Sequence, residues 1–339
     1  MTLEKRLLQI EAAAQQPGGL MLRSIGRLTA GKPDLLRALE VAAVPHWWDD
    51  AMLGKILDDD LAAHAGLWAS RLRDLSIVEP FIAHEGACNV HEVARKTLQD
   101  KLHRENRLAD LAGRVLRATE PKADYSSATH VIEHLYHQLL SDPASGAEAL
   151  ETQWRAWDDS GRWAALNEMA AMLEELLPYL TPPALARALL RCVTIRATRR
   201  SAPGAANQAA ESAVIFAQLG QERGRAQALN LLGSILTTNG NLGQAQRHFN
   251  EALTIRKRLA ASAPSNPAHQ RDVSVSHGKL GTLCVAKGDF SNAERHFRES
   301  LAITERLAAN DTENASRQRD LSVSHNKLGT LAAAHRLCS

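Results

Sequence analysis

The apolar positions of the C-terminal third fall into a regular pattern. Leu229, Leu232 and Leu236 are spaced i, i+3, i+7, which predicts a helix with one apolar face, and Gly233 lies beside Leu232. Asn239-Gly240-Asn241 supplies a turn. Beyond it Ala245, Phe249, Ala252, Leu253 and Ile255 predict a second amphipathic helix continuing to Leu259. Small residues at Gly233 and Ala245 with a large one at Phe249 make a knob and hole between two antiparallel helices. Ala-Pro-Ser-Asn-Pro (263–267) then breaks the chain.

This pair returns at a spacing of 48 residues. Arg271-Asp-Val-Ser-Val-Ser-His-Gly-Lys-Leu-Gly-Thr-Leu283 reappears as Arg319-Asp-Leu-Ser-Val-Ser-His-Asn-Lys-Leu-Gly-Thr-Leu331. One period earlier Leu232-Gly233, Gly240, Ala245 and Arg247-His248-Phe249 match Leu280-Gly281, Gly288, Ala293 and Arg295-His296-Phe297. A looser unit, Ala184–Thr198 with Ala205–Leu219, precedes them. Sequence that repeats at a fixed period predicts stacked helical pairs, each burying its apolar face against its neighbours. The pattern resembles the tetratricopeptide repeat (TPR): its small and large positions fall on Leu232, Gly233, Ala245, Phe249 and Ala252, then on Leu280, Gly281, Ala293, Phe297 and Ser300. The period exceeds the usual ~34 residues, implying a longer second helix and loop.

The TPR resemblance implies a non-enzymatic scaffold that binds a peptide or protein segment on the face built by first helices. Groove positions carried over from the family are Gln227, Asn230, Ser234 and Thr237, then Val275, Gly278, Thr282 and Val285, then Val323, Asn326 and Thr330. None is Lys, so the reading is of a neutral, polar-to-small face. Within the last repeat Leu321, Val323, Leu328, Leu331 and Ala332 share one helix, with a partner helix lacking before Ser339. That predicts weak homodimerisation or partner docking through residues 321–335, with a docked cap as the competing view.

The front half is a different module, since all six Trp precede residue 164. Helices are expected at 34–43, 50–58 and 61–74, then a two-stranded wing (Ser76–Ile82 and Cys88–His91) around the His84-Glu-Gly86 turn, then a helix over Glu92–Arg104. Leu75-Ser-Ile-Val-Glu-Pro-Phe81 and Val90-His-Glu-Val-Ala-Arg95 resemble the winged-helix region of STAND-type signalling ATPases, the NB-ARC group. The resemblance implies a nucleotide-sensing role for His91, with the nucleotide-binding domain itself lacking here. Helices at Ala128–Leu140, Ala147–Asp158 and Arg162–Leu180 connect the modules. The expected organisation is mainly α: a winged-helix-like module over 1–120, degenerate helical pairs over 121–182 and a TPR α-solenoid over 183–339.

Charge and composition narrow the chemistry. Forty Lys and Arg against 38 Asp and Glu give a net charge of +2, without the basic excess of a polyanion binder. The candidate recognition helix Leu61–Leu75 carries only Arg71 and Arg73, so a DNA-binding regulator is the alternative reading. The four cysteines are far apart, excluding a Cys-based zinc site or disulfide framework by spacing. The N-terminal stretch is charged and amphipathic, without a signal core, and no apolar run reaches the ~18 residues of a membrane span; a cytoplasmic location is expected. Gly26-Arg-Leu-Thr-Ala-Gly-Lys-Pro33 matches seven positions of a P-loop, but Pro33 replaces the metal-binding hydroxyl. His130-Val-Ile-Glu133-His134 matches the H-x-x-E-H pattern of zinc peptidases, with His130 and His134 one helical turn apart and Glu211 as the third ligand in that second alternative. No cofactor or metal is expected, and the partner is a protein or peptide rather than a membrane or nucleic acid.

Overall fold

The computed structural model describes residues 18–119, 127–197 and 204–338. The charged amphipathic stretch expected at the N-terminus lies outside them. The fold is mainly α, with seventeen helices and one short sheet among the described residues. The chain divides into two compact units, 1–150 with 178–180, and 151–177 with 181–339.

In the first unit α1 (Gly19–Leu28), α2 (Pro33–Ala42), α3 (Asp50–Ile56), α4 (Asp59–Ala62) and α5 (Ala65–Arg73) precede β1 (Val78–Pro80) and β2 (Cys88–Val90); α6 (Glu92–Arg104), α7 (Leu108–Ala118) and α8 (Ala128–Ser141) follow. The strands pair antiparallel, Val78 opposite Val90 and Pro80 opposite Cys88. Trp48, between α2 and α3, adds a single bridge on the other side of β2: its N–H donates to Cys88 O and Cys88 N–H donates back, both at 2.8 Å. Leu39, Trp48, Leu53, Ile56, Leu72, Leu98 and Leu102 are wholly buried and form the core between these elements.

Polar ties position this unit's helices. Glu40 is buried on α2, and its carboxylate accepts from Lys101 and, at 2.8 Å, from Arg107. Gln99, also buried, donates to the carbonyls of Ala43 and Val44 and accepts from the Tyr136 hydroxyl of α8. The helix expected over 61–74 is two helices in the structure. The backbone leaves helical geometry at His64, at φ −125° and ψ 31°, so α4 and α5 are separate. The P-loop-like stretch is the last turn of α1 and the turn that leads to α2, with Gly31 at φ 70° and Pro33 in the first turn of α2, where a missing N–H is harmless.

Helix α9 (Pro143–Asp159) leads into the second unit, built from α10 (Trp163–Leu176), α11 (Pro182–Arg196), α12 (Ala205–Gln218), α13 (Glu222–Thr238), α14 (Leu242–Ser262), α15 (Pro267–Ala286), α16 (Phe290–Ala309) and α17 (Ala315–Cys338). From α10 on, each helix packs on the next. The first helices of successive pairs also touch, α11 with α13 and α13 with α15. The break expected at 263–267 is where α14 ends; Asn266 caps α15 by accepting from Ala268 N–H at 2.9 Å, with Pro267 in the first turn.

The knob and hole are built as the repeat predicts. A Cβ on Gly233 would stand 2.7 Å from the Phe249 ring, and one on Gly281 would meet Phe297 at 2.5 Å. Only a residue without a side chain lets α13 and α14, or α15 and α16, approach this closely. Repetition also appears in charge: Arg223 Nε donates to Asp272 at 2.7 Å, and 48 residues on Arg271 pairs with Asp320. Each pair ties one first helix to the next.

Candidate functional site

The exposed stripe of the first helices is the candidate binding face. On α15 it carries Val275 and Thr282, and on α17 Val323, Asn326 and Thr330. Val275 is 37% and Val323 45% exposed, large apolar side chains one repeat apart. On α13 Gln227, Ser234 and Thr237 are half-buried. Asn230 and Gly278 are buried, and Asn230 donates to Ser276 Oγ at 3.3 Å. Val285 packs against the cluster of Cys284, Ala293, Phe297 and Leu331. The hydroxyls of Ser234, Thr237, Thr282 and Thr330 each donate to the carbonyl one turn back, so what they offer a partner is acceptor lone pairs.

The face is not neutral. Lys279 and Lys327, one repeat apart, flank the stripe half-buried, and neither has a carboxylate partner among the described residues. Lys327 reaches across to α15, where its Nζ would stand 2.7 Å from a Cβ on Gly278. Burial and the charges of Lys327 and Arg256 hold Lys279 below the ordinary amine range, and burial does the same to Lys327. Arg256 of α14 is buried; it donates to Asp272 O at 2.8 Å and Ser276 Oγ at 3.0 Å, and burial pushes it down to about 10. These long side chains carry charge to positions that their Cα atoms do not occupy, which is why a reading of groove residues by register left them out.

Helix α17 docks on the preceding pair. Leu331 is buried against Cys284, Ala293 and Phe297, and Leu328 packs beside it. Ala332 and Val323 face outward.

The H-x-x-E-H motif does different work from the expected one. Glu133 does not stand beside a shared metal point of His130 and His134. Its Oε2 lies 2.6 Å from His46 Nδ1, and its Oε1 lies 3.0 Å from His137 Nε2 and accepts from the His46 backbone N–H at 3.2 Å. Burial alone would raise this carboxyl, but the two imidazoles outweigh it and hold Glu133 well below the ordinary carboxylate range. The motif thus fastens α8 to the loop after α2. His130 lies instead against the His84 ring, centroids 5.8 Å apart. Among the described residues, the His/Cys/Asp/Glu group whose donor atoms converge is His277, His296 and Glu299. Glu133 is thus engaged by His46 and His137, not held in the water-activating role that the zinc-peptidase alternative gives it.

Elsewhere in the first unit, His91 is exposed at the start of α6, and its backbone N–H donates to Ile77 O at 2.8 Å. Arg73 of α5 pairs with Asp50 and lies over the Trp48 ring, and Arg71 lies over Trp68. Both cations of the candidate recognition helix are therefore engaged within the unit. No helix among the described residues is long and apolar enough to cross a membrane.

Comparison with known proteins agrees with the repeat. The family profile described as tetratricopeptide repeat matches residues 225–264, which span α13 and α14. Comparison with curated proteins gives no match. Among solved structures, the crystal structure of BtubC (BKLC) from P. vanneervenii is similar at 19% identity and a TM-score of 0.40, over 68% of this chain and 84% of that one.

Proposed function

We propose that the second unit is a non-enzymatic protein-binding module, and that the exposed stripe of α13, α15 and α17 receives an extended or helical segment of apolar and acidic character. TPR repeats are generally protein-interaction modules, and residues 225–264 match that family. The observation that carries the finer reading is the pairing of exposed Val275 and Val323 with unpartnered Lys279 and Lys327 at the same repeat spacing. Desolvated cations without an acid are costly, and an incoming carboxylate relieves that cost. Acceptor-only hydroxyls beside them suit the backbone N–H groups of a bound segment.

The test is fluorescence anisotropy with a labelled peptide of Leu, Ala and Glu and its counterpart with Lys for Glu. The acidic peptide binds, more weakly as salt rises, and the basic one does not. Lys279→Glu with Lys327→Glu lowers affinity by about tenfold or more, equivalent to ~1.4 kcal/mol. Equal binding of the two peptides refutes the acidic-segment reading.

We also read the first unit as a winged-helix module serving as a regulatory or docking element. The order α2, Trp48 bridge, α3, α5, β1, turn, β2 supports this.

A further inference from the structure

We propose that His277, His296 and Glu299 form a binding site for one divalent transition-metal ion of the zinc type, joining α15 to α16. The inference does not depend on the peptide-binding reading.

His277 Nδ1 lies 3.1 Å from His296 Nδ1 and 2.7 Å from Glu299 Oε2. All three donor atoms lie within 4.8 Å of one another. Ligand atoms about 2.0–2.1 Å from one zinc ion, at angles between octahedral and tetrahedral, are separated by about 2.9–3.3 Å. The two imidazole nitrogens therefore already have the separation that a shared ion gives, and the carboxylate oxygen is within a few tenths of an ångström of that separation from His277. Without an ion the arrangement is badly matched: Arg295, which can only donate, lies 3.3 Å from His296 Nε2 and so leaves that ring's proton on Nδ1, facing the Nδ1 that His277 turns to the Glu299 carboxylate. Two imidazoles and one carboxylate are a donor set that zinc accepts, with a fourth position left for water.

The sister repeat shows that the fold does not require this cluster. One period back, the equivalents of His277, His296 and Glu299 are Leu229, His248 and Glu251. Leu229 is buried in the apolar core, and Glu251 pairs with Arg225 instead. One period on the same position is His325, which is exposed, so His277 is the copy in which the frame buries a histidine, 3% exposed, at a position that Leu229 fills one period back. Burying a polar ring there is unfavourable unless something binds it.

The surroundings fit a ligating site with an open side. His277 forms the buried inner wall, while His296 and Glu299 are half-buried at the rim. Burial pushes His277 down to about 4, against the pull of Glu299, and burial lowers His296 as well. Arg295 donates to Glu299 Oε1 at 3.2 Å, which fixes the carboxylate's orientation and leaves Oε2 for an ion. Lys257 of α14, Arg295 and Asp289 are the other charges acting on the pair; the first two oppose a cation and limit its affinity.

The experiment is calorimetric titration of the metal-free, tag-free full chain with Zn²⁺ alone, alongside visible spectroscopy with Co²⁺. Wild type takes up one equivalent at micromolar metal and gives the absorption of low-symmetry cobalt. His277→Leu, which restores the sister repeat's residue, abolishes both signals, whereas His248→Leu leaves them intact. Glu299→Gln lies at the rim, where folding is not at risk, and weakens binding by about tenfold or more. No uptake by wild type, or uptake unchanged in His277→Leu or in Glu299→Gln, overturns the proposal.

Discussion

Three equivalent glycines give a test in which one substitution has opposite effects. Gly233, Gly281 and Gly329 occupy the same position of the 48-residue repeat, each inside a helix. Replacing a helical Gly by Ala gains ~1 kcal/mol from backbone entropy and propensity. At Gly233 the new methyl would stand 2.7 Å from Phe249 Cε1, and at Gly281 2.5 Å from Phe297 Cδ1, well inside van der Waals contact. Both rings are buried, at 2% and 4% exposure, so neither can swing into solvent. Overpacking of this kind costs about 1–3 kcal/mol and, with the helix shift it forces, lies at the upper end here. The net expectation is destabilisation by ~1–2 kcal/mol at positions 233 and 281, the difference between the overpacking cost and the propensity gain. At Gly329 nothing among the described residues lies within 4 Å, so the same change stabilises by up to ~1 kcal/mol. Urea midpoints followed by far-UV circular dichroism measure all three. Pairing Gly281→Ala with Phe297→Leu recovers part of the loss if ring contact is the cause, since neighbours that share a contact are not additive. Stabilisation by Gly281→Ala, or the same sign at all three sites, refutes the close-approach argument.

Two further outcomes follow from polar contacts. Glu133→Gln, which leaves His46 and His137 facing a neutral amide, costs ~3 kcal/mol at pH 7, as loss of one partner from a buried pair does. The folded carboxyl is held below its unfolded value, so its contribution is complete above the ordinary carboxylate range and fades as pH falls toward the depressed folded value; the gap between wild type and Glu133→Gln therefore narrows steadily in acid, and a gap that does not narrow as pH falls contradicts the pairing. Arg223→Ala and Arg271→Ala each change stability by less than ~1 kcal/mol, because both guanidinium groups are about half exposed and screened; a larger loss in urea titrations at moderate salt means that these ties do more than align repeats.

The repeat was legible because it is written in local spacing: apolar residues at i, i+3, i+7, a glycine facing a phenylalanine, and an Asn-Pro break all act within a few turns of chain. Helix Glu92–Arg104 and the break at 263–267 fall where that spacing puts them. The single helix read over 61–74 differs from the structure because composition there favours helix throughout, and no residue of the stretch marks the turn that the backbone makes at His64. The motif at 130–134 misled for a related reason. Helical spacing places His130 and His134 on one face, but the partner that occupies Glu133 is His46, 87 residues away, and no local pattern reports it. The His277 cluster is spread over two helices and so escaped motif reading. Its signal was present nonetheless, as a histidine replacing Leu229 when the repeats are laid one on another. Lys279 and Lys327 were passed over because the groove was read by Cα position, whereas their charges sit a side chain's length away.

Site-specific photocrosslinking asks most directly whether the first-helix stripe is the binding face. A benzophenone amino acid is placed at Val275, at Val323, and at Arg298, an exposed position on the second helix α16. Each protein is irradiated with the labelled acidic peptide of Leu, Ala and Glu. Crosslinks at 275 and 323, absent at 298 and suppressed by Lys279→Glu with Lys327→Glu, are the predicted result. Labelling at 298 equal to that at 275 and 323, or labelling indifferent to the two lysines, contradicts the account.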